Sequence, residues 1–220
     1  MLHAILFDLD GTLLDTAPDL ASALNLLRQE ENLEPLPYES IRPVVSHGGK
    51  ALIKLGFNDH TNNTDPETLR QRLLDIYQSN IAVNTSLFPG MENVLNFIES
   101  NHMQWGVVTN KPAWLTDPLM KALNLFERSV CVVSGDTTEN RKPHPQPILH
   151  ACSISGHSPA ECLYIGDAER DIQAGKNAGL KTLIALYGYI EKQDDPSSWG
   201  ADDSIHSPEE IINWIQRHNS

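Results

Sequence analysis

The chain is poor in several things that would have assigned it quickly. It has 220 residues but only three cysteines, Cys131, Cys152 and Cys162, an odd number in apolar surroundings. That count argues against a disulfide framework and for reduced core thiols. Positive charge is scarce: 16 Lys and Arg stand against 29 Asp and Glu, a net charge of −13. An acidic chain of this kind lacks the basic patches that nucleic acid and anionic membranes require. No apolar run approaches the roughly 20 residues of a spanning helix. Only seven residues precede Asp8 and none forms a basic stretch, so no signal peptide is expected. The nine histidines contain no H-x-x-x-H pair that would suggest zinc. Ser46-His47-Gly48-Gly49-Lys50 is not a P-loop, because Ala51 follows the lysine. Aromatic residues make up 6%, and given the charge the Trp and Tyr residues are read as packing rather than base-stacking platforms. There is no repeat and no low-complexity segment. A soluble cytoplasmic protein is expected, monomeric or weakly dimeric, with no nucleic-acid or membrane partner.

What is present alternates. Ala4-Ile5-Leu6-Phe7-Asp8 reads as a buried strand, and so do Gln104 to Thr109, Val130 to Val133, Cys162 to Ile165 and Thr182 to Leu186. Helical spacing covers 91–101, 113–123, 147–153, 168–178 and a terminal helix from Pro208 to Arg217 capped by Ser207. Strands alternating with helices predict an α/β fold, a Rossmann-like parallel sheet with helices on both faces. Residues 16–83 show no strand signal. Helical patterns there run to about residue 32, over 38–45 up to Pro43, over 51–55 and over 69–80, with a polar loop from His60 to Pro66. The expected organisation is a core of residues 1–15 and 84–220 with a helical cap, 16–83, inserted in it. The linkers near 14–18 and 83–90 are hinge candidates, the second carrying Phe88-Pro89-Gly90. Trp199-Gly200-Ala201-Asp202 reads as a surface turn leading into the last helix.

The chemistry gathers where strands end. In a strand of period two, Asp8 and Asp10 share a face, and two adjacent carboxylates call for a hard cation such as Mg²⁺. Alone, Asp8-Leu9-Asp10-Gly11 is equally an Asx turn. Thr109-Asn110 follows the second strand, Lys142 the third, and Gly166-Asp167-Ala168-Glu169-Arg170-Asp171 the fourth, all on one edge of a parallel sheet. These residue types suit phosphoryl transfer. Asp8 can serve as a carboxylate nucleophile and Asp10 can move the proton. Thr109, Asn110 and Lys142 can hold phosphoryl oxygens, and Asp167 can complete the metal shell. Asp171, one helical turn on, is a water-mediated ligand or a partner for Lys142. A receiver-type phospho-acceptor uses similar parts, with Asp136 the candidate acceptor.

As a set, Asp8-Leu9-Asp10-Gly11-Thr12, Thr109, Lys142 and Gly166-Asp167…Asp171 resemble the four motifs of the haloacid dehalogenase-like hydrolase superfamily, in its capped phosphatase branch. The resemblance spans essentially the whole chain. It implies Asp8 as nucleophile, Asp10 as general acid and base, and Mg²⁺ held by Asp8, the Asp10 carbonyl and Asp167. It also implies a phosphate-ester substrate and a cap that closes over it. Asp10 argues for a phosphatase or a sugar-phosphate mutase, because dehalogenases of the superfamily lack that second aspartate. Val107-Val108-Thr109-Asn110-Lys111-Pro112, Lys142-Pro143-His144-Pro145 and Asp171-Ile172-Gln173-Ala174 are similar to phosphoglycolate phosphatases. The 166–171 stretch, Tyr187-Gly188-Tyr189-Ile190 and Trp199-Gly200-Ala201-Asp202 look most like N-acetylmuramic acid 6-phosphate phosphatases. Substrate choice is expected to rest on the cap loop, with His47, Gly48, Gly49 and Lys50 as its specificity residues.

Overall fold

A computed structural model describes residues 1–57 and 65–219. In chain order the elements are β1 (Ala4–Phe7), β2 (Leu14–Asp15), α1 (Ala17–Glu30), α2 (Tyr38–Ile41), α3 (Gly48–Phe57), α4 (Pro66–Ser79) and β3 (Ser86–Leu87). They continue as α5 (Met91–Ser100), β4 (Gln104–Val108), α6 (Ala113–Ala122), β5 (Val132–Val133), α7 (Gln146–Ser155), β6 (Cys162–Gly166) and α8 (Glu169–Ala178). The chain ends with β7 (Lys181–Ala185), β8 (Asp203–Ile205) and α9 (Glu210–Asn219). Six strands form one parallel sheet in the order β5-β4-β1-β6-β7-β8. The chain winds outward from β1 through β4 to β5. It then crosses back to β6 on the other side of β1. Open α/β sheets bind ligands at such a reversal, beyond the strand C-termini.

Strand alternation splits the core in two. Ile5, Phe7, Trp105, Val107, Leu163 and Ile165 face one side, packed under α5, α6 and α9. Ala4, Leu6, Val108, Val133, Cys162 and Tyr164 face the other, under α7 and α8. All three cysteines are buried and free. No helix among the described residues is long and apolar enough to cross a membrane.

Between β2 and β3 the chain makes four helices and no other strand among the described residues. Pro18 sits in the first turn of α1, where a missing N–H costs nothing. Pro43 follows α2 and holds Arg42–His47 to a 3₁₀ turn. Asp65 caps α4 by accepting from the Thr68 N–H (3.1 Å). Of the loop expected from His60 to Pro66, residues 60–64 lie outside the described residues, and Pro66 already belongs to α4. Leu24, Leu27, Leu52, Leu73 and Tyr77 from these helices join the apolar cluster that contains Phe7 and Leu13. The helical layer therefore shares its core with the sheet.

Four expectations are corrected. The linkers carry strand after all: Leu14 pairs Leu87 and Asp15 pairs Ser86, antiparallel. Two residues per strand leave no periodicity to read. The buried Asp19 carboxylate fastens this ribbon to α1, accepting from the Asn84 and Thr85 N–H groups and from the Thr85 hydroxyl (2.7–3.0 Å). Second, the 46–50 break is narrower than expected, since α3 already begins at Gly48. Gly48 supplies the one left-handed residue, φ +78°, that turns the 3₁₀ segment into α3. Third, Trp199 is buried against Ile172 and Ile184 and leads to a sixth sheet strand, β8, rather than lying in a surface turn. Fourth, the terminal helix starts at Glu210, with Ser207 and Pro208 in the turn before it.

Candidate active site

β1 ends at Phe7, and the Asp8 N–H still donates to the Ile165 carbonyl (2.8 Å), so Asp8 stands at the sheet's C-terminal edge. The chain then turns sharply. Gly11 has φ +88°, and a Cβ there would collide with the Asp167 carboxylate. Because of this turn, Asp10 does not share a strand face with Asp8, as period two suggested. Its Oδ1 instead accepts from Thr16 Oγ1 (2.7 Å) and Lys111 Nζ (2.9 Å).

Lys142 organises the buried side of the site. It lies well beyond β5, in the loop before α7, not at a strand end. The Asn110 side chain clamps its backbone, donating to the Lys142 carbonyl (3.0 Å) and accepting from its N–H (3.1 Å). The ammonium donates to Asp8 Oδ1, the Val108 carbonyl and the Tyr164 hydroxyl, each at 2.8 Å. It also lies 2.7 Å from Asp171 Oδ1. Asp171 caps α8 through the Ala168 N–H (3.1 Å). Of its two expected roles, the geometry shows the partner of Lys142.

Asp167 closes the cluster. Its Oδ2 accepts from Ser46 Oγ and the Tyr189 N–H, both at 2.8 Å. Its Oδ1 is buried with no partner. Carboxylate oxygens of Asp8, Asp167 and Asp171 lie within 4.8 Å of one another. Burial and the neighbouring carboxylates push Asp8 up to about 6 and Asp167 up to about 7, although Lys142 pulls Asp8 down. A buried acidic group with an orphaned carboxylate oxygen has the ligand atoms to hold a metal ion.

Thr109 follows β4; its N–H continues the ladder to Val133 (2.9 Å), and its Oγ1 accepts from the Lys111 N–H (3.1 Å). Lys111, two residues beyond Thr109, takes a part that the motif pattern does not assign it. Its buried ammonium bridges Asp10 to the Tyr77 hydroxyl (3.1 Å) and lies 4.5 Å from the Tyr77 ring centroid. Burial alone would lower this ammonium, yet Asp10 and Tyr77 hold it above its ordinary value. Arg170 was also missed. It donates to the Ser46 carbonyl (2.7 Å) and favours the ionised form of Asp8.

Above these residues lies a cavity of about 670 Å³, lined from the sheet edge by Asp8, Asp10, Thr109 and Lys142 and from the helical layer by the 45–50 segment and α4. His47, Gly48, Gly49 and Lys50 all line it, but His47 is engaged outward with Glu191 (2.9 Å). Gly49 packs against the Arg70 side chain. Asp136 is not among the lining residues; its Oδ1 accepts from the Ala113 N–H (2.9 Å) at the start of α6.

Residues 5–185 match the family model described as haloacid dehalogenase-like hydrolase. A Pseudomonas aeruginosa protein named N-acetylmuramic acid 6-phosphate phosphatase is 42% identical over 216 residues, 98% of this chain and 96% of its own. A Xanthomonas campestris pv. campestris protein named phosphoglycolate phosphatase is 39% identical over 209 residues, 95% of this chain and 94% of its own. The crystal structure of a predicted phosphoglycolate phosphatase from Haemophilus somnus shares the fold, with a TM-score of 0.86 at 24% identity over 97% of this chain and 98% of that one.

Proposed function

The chain belongs to the haloacid dehalogenase-like hydrolase family, and we propose that this phosphatase works through an aspartyl-phosphate on Asp8, with a carboxylated sugar phosphate, N-acetylmuramic acid 6-phosphate, as its substrate. The observation that carries the chemistry is the Lys142 ammonium held between Asp8 and Asp171, beside the unpartnered oxygen of Asp167. A carboxylate of Asp8 attacks phosphorus. The bond to the ester oxygen breaks, and that oxygen takes a proton from Asp10. Asp10 then takes a proton from the water that attacks the phosphoaspartate, which releases phosphate and restores Asp8. Lys142, Thr109 and backbone N–H groups beyond β4 offset charge on the transferring oxygens. Asn110 acts indirectly, by fixing the Lys142 backbone.

Mg²⁺ fits the donor set. Asp8, the Asp10 carbonyl and Asp167 would hold it, and Asp171 is left to Lys142. When bound, it supplies the neutralisation that lets one anion approach another. Residues 16–83 act in this reading as a cap that closes over the core formed by 1–15 and 84–220, with the β2–β3 ribbon as its hinge. The free, buried cysteines agree with work in a reducing cytoplasm.

Cation binding has a sign that can be checked. The raised Asp8 and Asp167 groups bind protons more tightly folded than unfolded. Their contribution favours folding below pH 4 and is lost as pH climbs through 6 to 7. Mg²⁺ competes with those protons. Its stabilisation of chelator-treated protein is therefore expected to be small at pH 5 and large at pH 8. At saturating metal the rise in Tm should be about 5–10 °C. A gain equally large at pH 5, or one retained by Asp167→Asn, would contradict the assignment.

Cavity size and kinship favour the sugar. A space of about 670 Å³ is in the range of sites for drug-sized ligands. A two-carbon ester leaves most of it unfilled. The 39%-identical phosphoglycolate phosphatase keeps phosphoglycolate as the competing substrate. A kcat/KM panel of phosphate monoesters decides: the muramic acid 6-phosphate should lead phosphoglycolate by at least about tenfold. The reverse order would reassign the substrate and leave the phosphatase chemistry standing.

A further inference from the structure

The protein has four tryptophans, and three are core residues: Trp105, Trp199 and Trp214 are 1%, 8% and 2% exposed. Packing accounts for them, as the sequence suggested. Trp114 does not fit that reading. It is 37% exposed in the first turn of α6, a few residues beyond Thr109, and it lines the same cavity as Asp8 and Lys142. Among the described residues its indole has no hydrogen bond, ring contact or cation over its face, whereas Tyr77, Tyr164 and Tyr189 in or beside the site all have them. A partly exposed indole without a polar or ring partner thus borders a cavity whose other walls carry Lys50, Arg70 and Arg141.

We propose that Trp114 is the platform for the ring of a cyclic phosphate ester and sets the preference of this site for cyclic over acyclic substrates. The inference rests on the sugar-phosphate reading above. A pyranose has an apolar C–H face, and covering it with an indole removes apolar area of both partners from water. An acyclic two-carbon ester has no such face to offer. Attachment at the start of α6 ties the indole to the element that follows the Thr109-Asn110 turn. A ring on Trp114 would thereby be held in register with the phosphoryl pocket. Arg70 is paired with Glu67 on the same wall, which leaves Lys50 and Arg141 to meet a second anionic arm. The indole N–H, also unengaged, can donate to a ring hydroxyl.

The test compares ratios, so that a general loss of activity cannot imitate the effect. For wild type, Trp114→Ala and Trp114→Phe, kcat/KM is measured on N-acetylmuramic acid 6-phosphate and glucose 6-phosphate, and on phosphoglycolate and glycerol 3-phosphate. Trp114→Ala should lower the cyclic-to-acyclic ratio at least about tenfold, mainly through KM for the cyclic esters. Trp114→Phe, which keeps a flat face, should retain most of the ratio. Fluorescence supplies a second readout, since Trp114 is the one exposed indole of the four. In the Asp8→Asn background, binding of a cyclic ester should change tryptophan emission, and adding Trp114→Phe should abolish the change. An unaltered ratio in Trp114→Ala, or an emission change that survives Trp114→Phe, overturns the inference. If wild type prefers phosphoglycolate to the muramic acid ester, the substrate assignment falls instead, and the ratio still judges Trp114.

Discussion

Asp8→Asn is expected to abolish turnover while leaving the protein as stable as wild type or more so. The two halves of that result have one cause. Asp8 is 3% exposed and shares its surroundings with Asp167 and Asp171. Burial and that repulsion push its carboxyl up to about 6, so at neutral pH its ionised form is held at a cost to the fold. The amide removes the cost. Lys142 keeps Asp171, the Val108 carbonyl and the Tyr164 hydroxyl, so the substitution does not strand its ammonium. An amide, however, is no nucleophile at phosphorus. Loss of the covalent route should lower kcat by at least about 10³-fold on an aryl phosphate and on the sugar phosphate alike, roughly 4 kcal/mol in the barrier. The measurements are kcat on both substrates and a thermal melt without metal. Residual activity within tenfold of wild type would remove Asp8 from the nucleophile's place. A melt lowered by several degrees would show that the carboxylate supports the fold instead of straining it. The conflict between stability and activity is ordinary for a catalytic group.

The site was legible in the sequence to the extent that its residues lie at the ends of long apolar strands. β1, β4, β6 and β7 are buried on both faces, so they read as continuous apolar runs, and Asp8, Thr109 and Asp167 come immediately after three of them. β8 was not legible. Asp203-Ser204-Ile205 has one apolar residue, and its strand character comes from β7 and from Asp202, which accepts from the Thr182 N–H (2.9 Å). The Asp10 turn failed for a related reason. Period two ends with β1 at Phe7, and Gly11 then redirects the chain. Residues whose part depends on distant segments were hardest to find. Ser46 reaches Asp167, Arg170 reaches back to Ser46, and Arg42 donates to the Tyr187 and Gly188 carbonyls (3.2 and 3.1 Å). These contacts tie the helical layer to the sheet edge, and no local pattern announces them. Lys111 is different: a lysine directly after the Thr109-Asn110 turn at the end of a buried strand is a signal that the sequence carries. Its pairing with Asp10 gives that carboxylate a fixed orientation that the motif alone does not disclose.

Lys142→Met should be the most damaging single change, and its cost should divide into two separable parts. The ammonium is 3% exposed as a residue and lies 2.7–2.8 Å from four oxygens, two of them carboxylate. Removing one partner of a buried ion pair leaves the other charge uncompensated, which typically costs about 3–5 kcal/mol. Here two carboxylates lose their counter-ion, and Asp167 stands beside them. In a chain of this size that corresponds to a Tm lower by about 10 °C. Activity should fall at least about 10²-fold, because a cation facing the transferring oxygens is gone. Stability and activity can be told apart by a second substitution. Asp171 touches Lys142 and the Ala168 N–H, and the mechanism gives it no bond to substrate. Lys142→Met with Asp171→Asn removes one buried acid along with the ammonium, while the amide oxygen can still cap α8. The double variant should recover much of the lost Tm and none of the lost kcat. If activity returned with stability, Lys142 would be a structural counter-ion alone. If neither returned, the coupling of Lys142 to Asp171 would not be what holds this edge of the sheet together. The expected split, fold restored and turnover still absent, follows from a single ammonium that neutralises the buried Asp171 on one side and reaches Asp8, the proposed nucleophile, on the other.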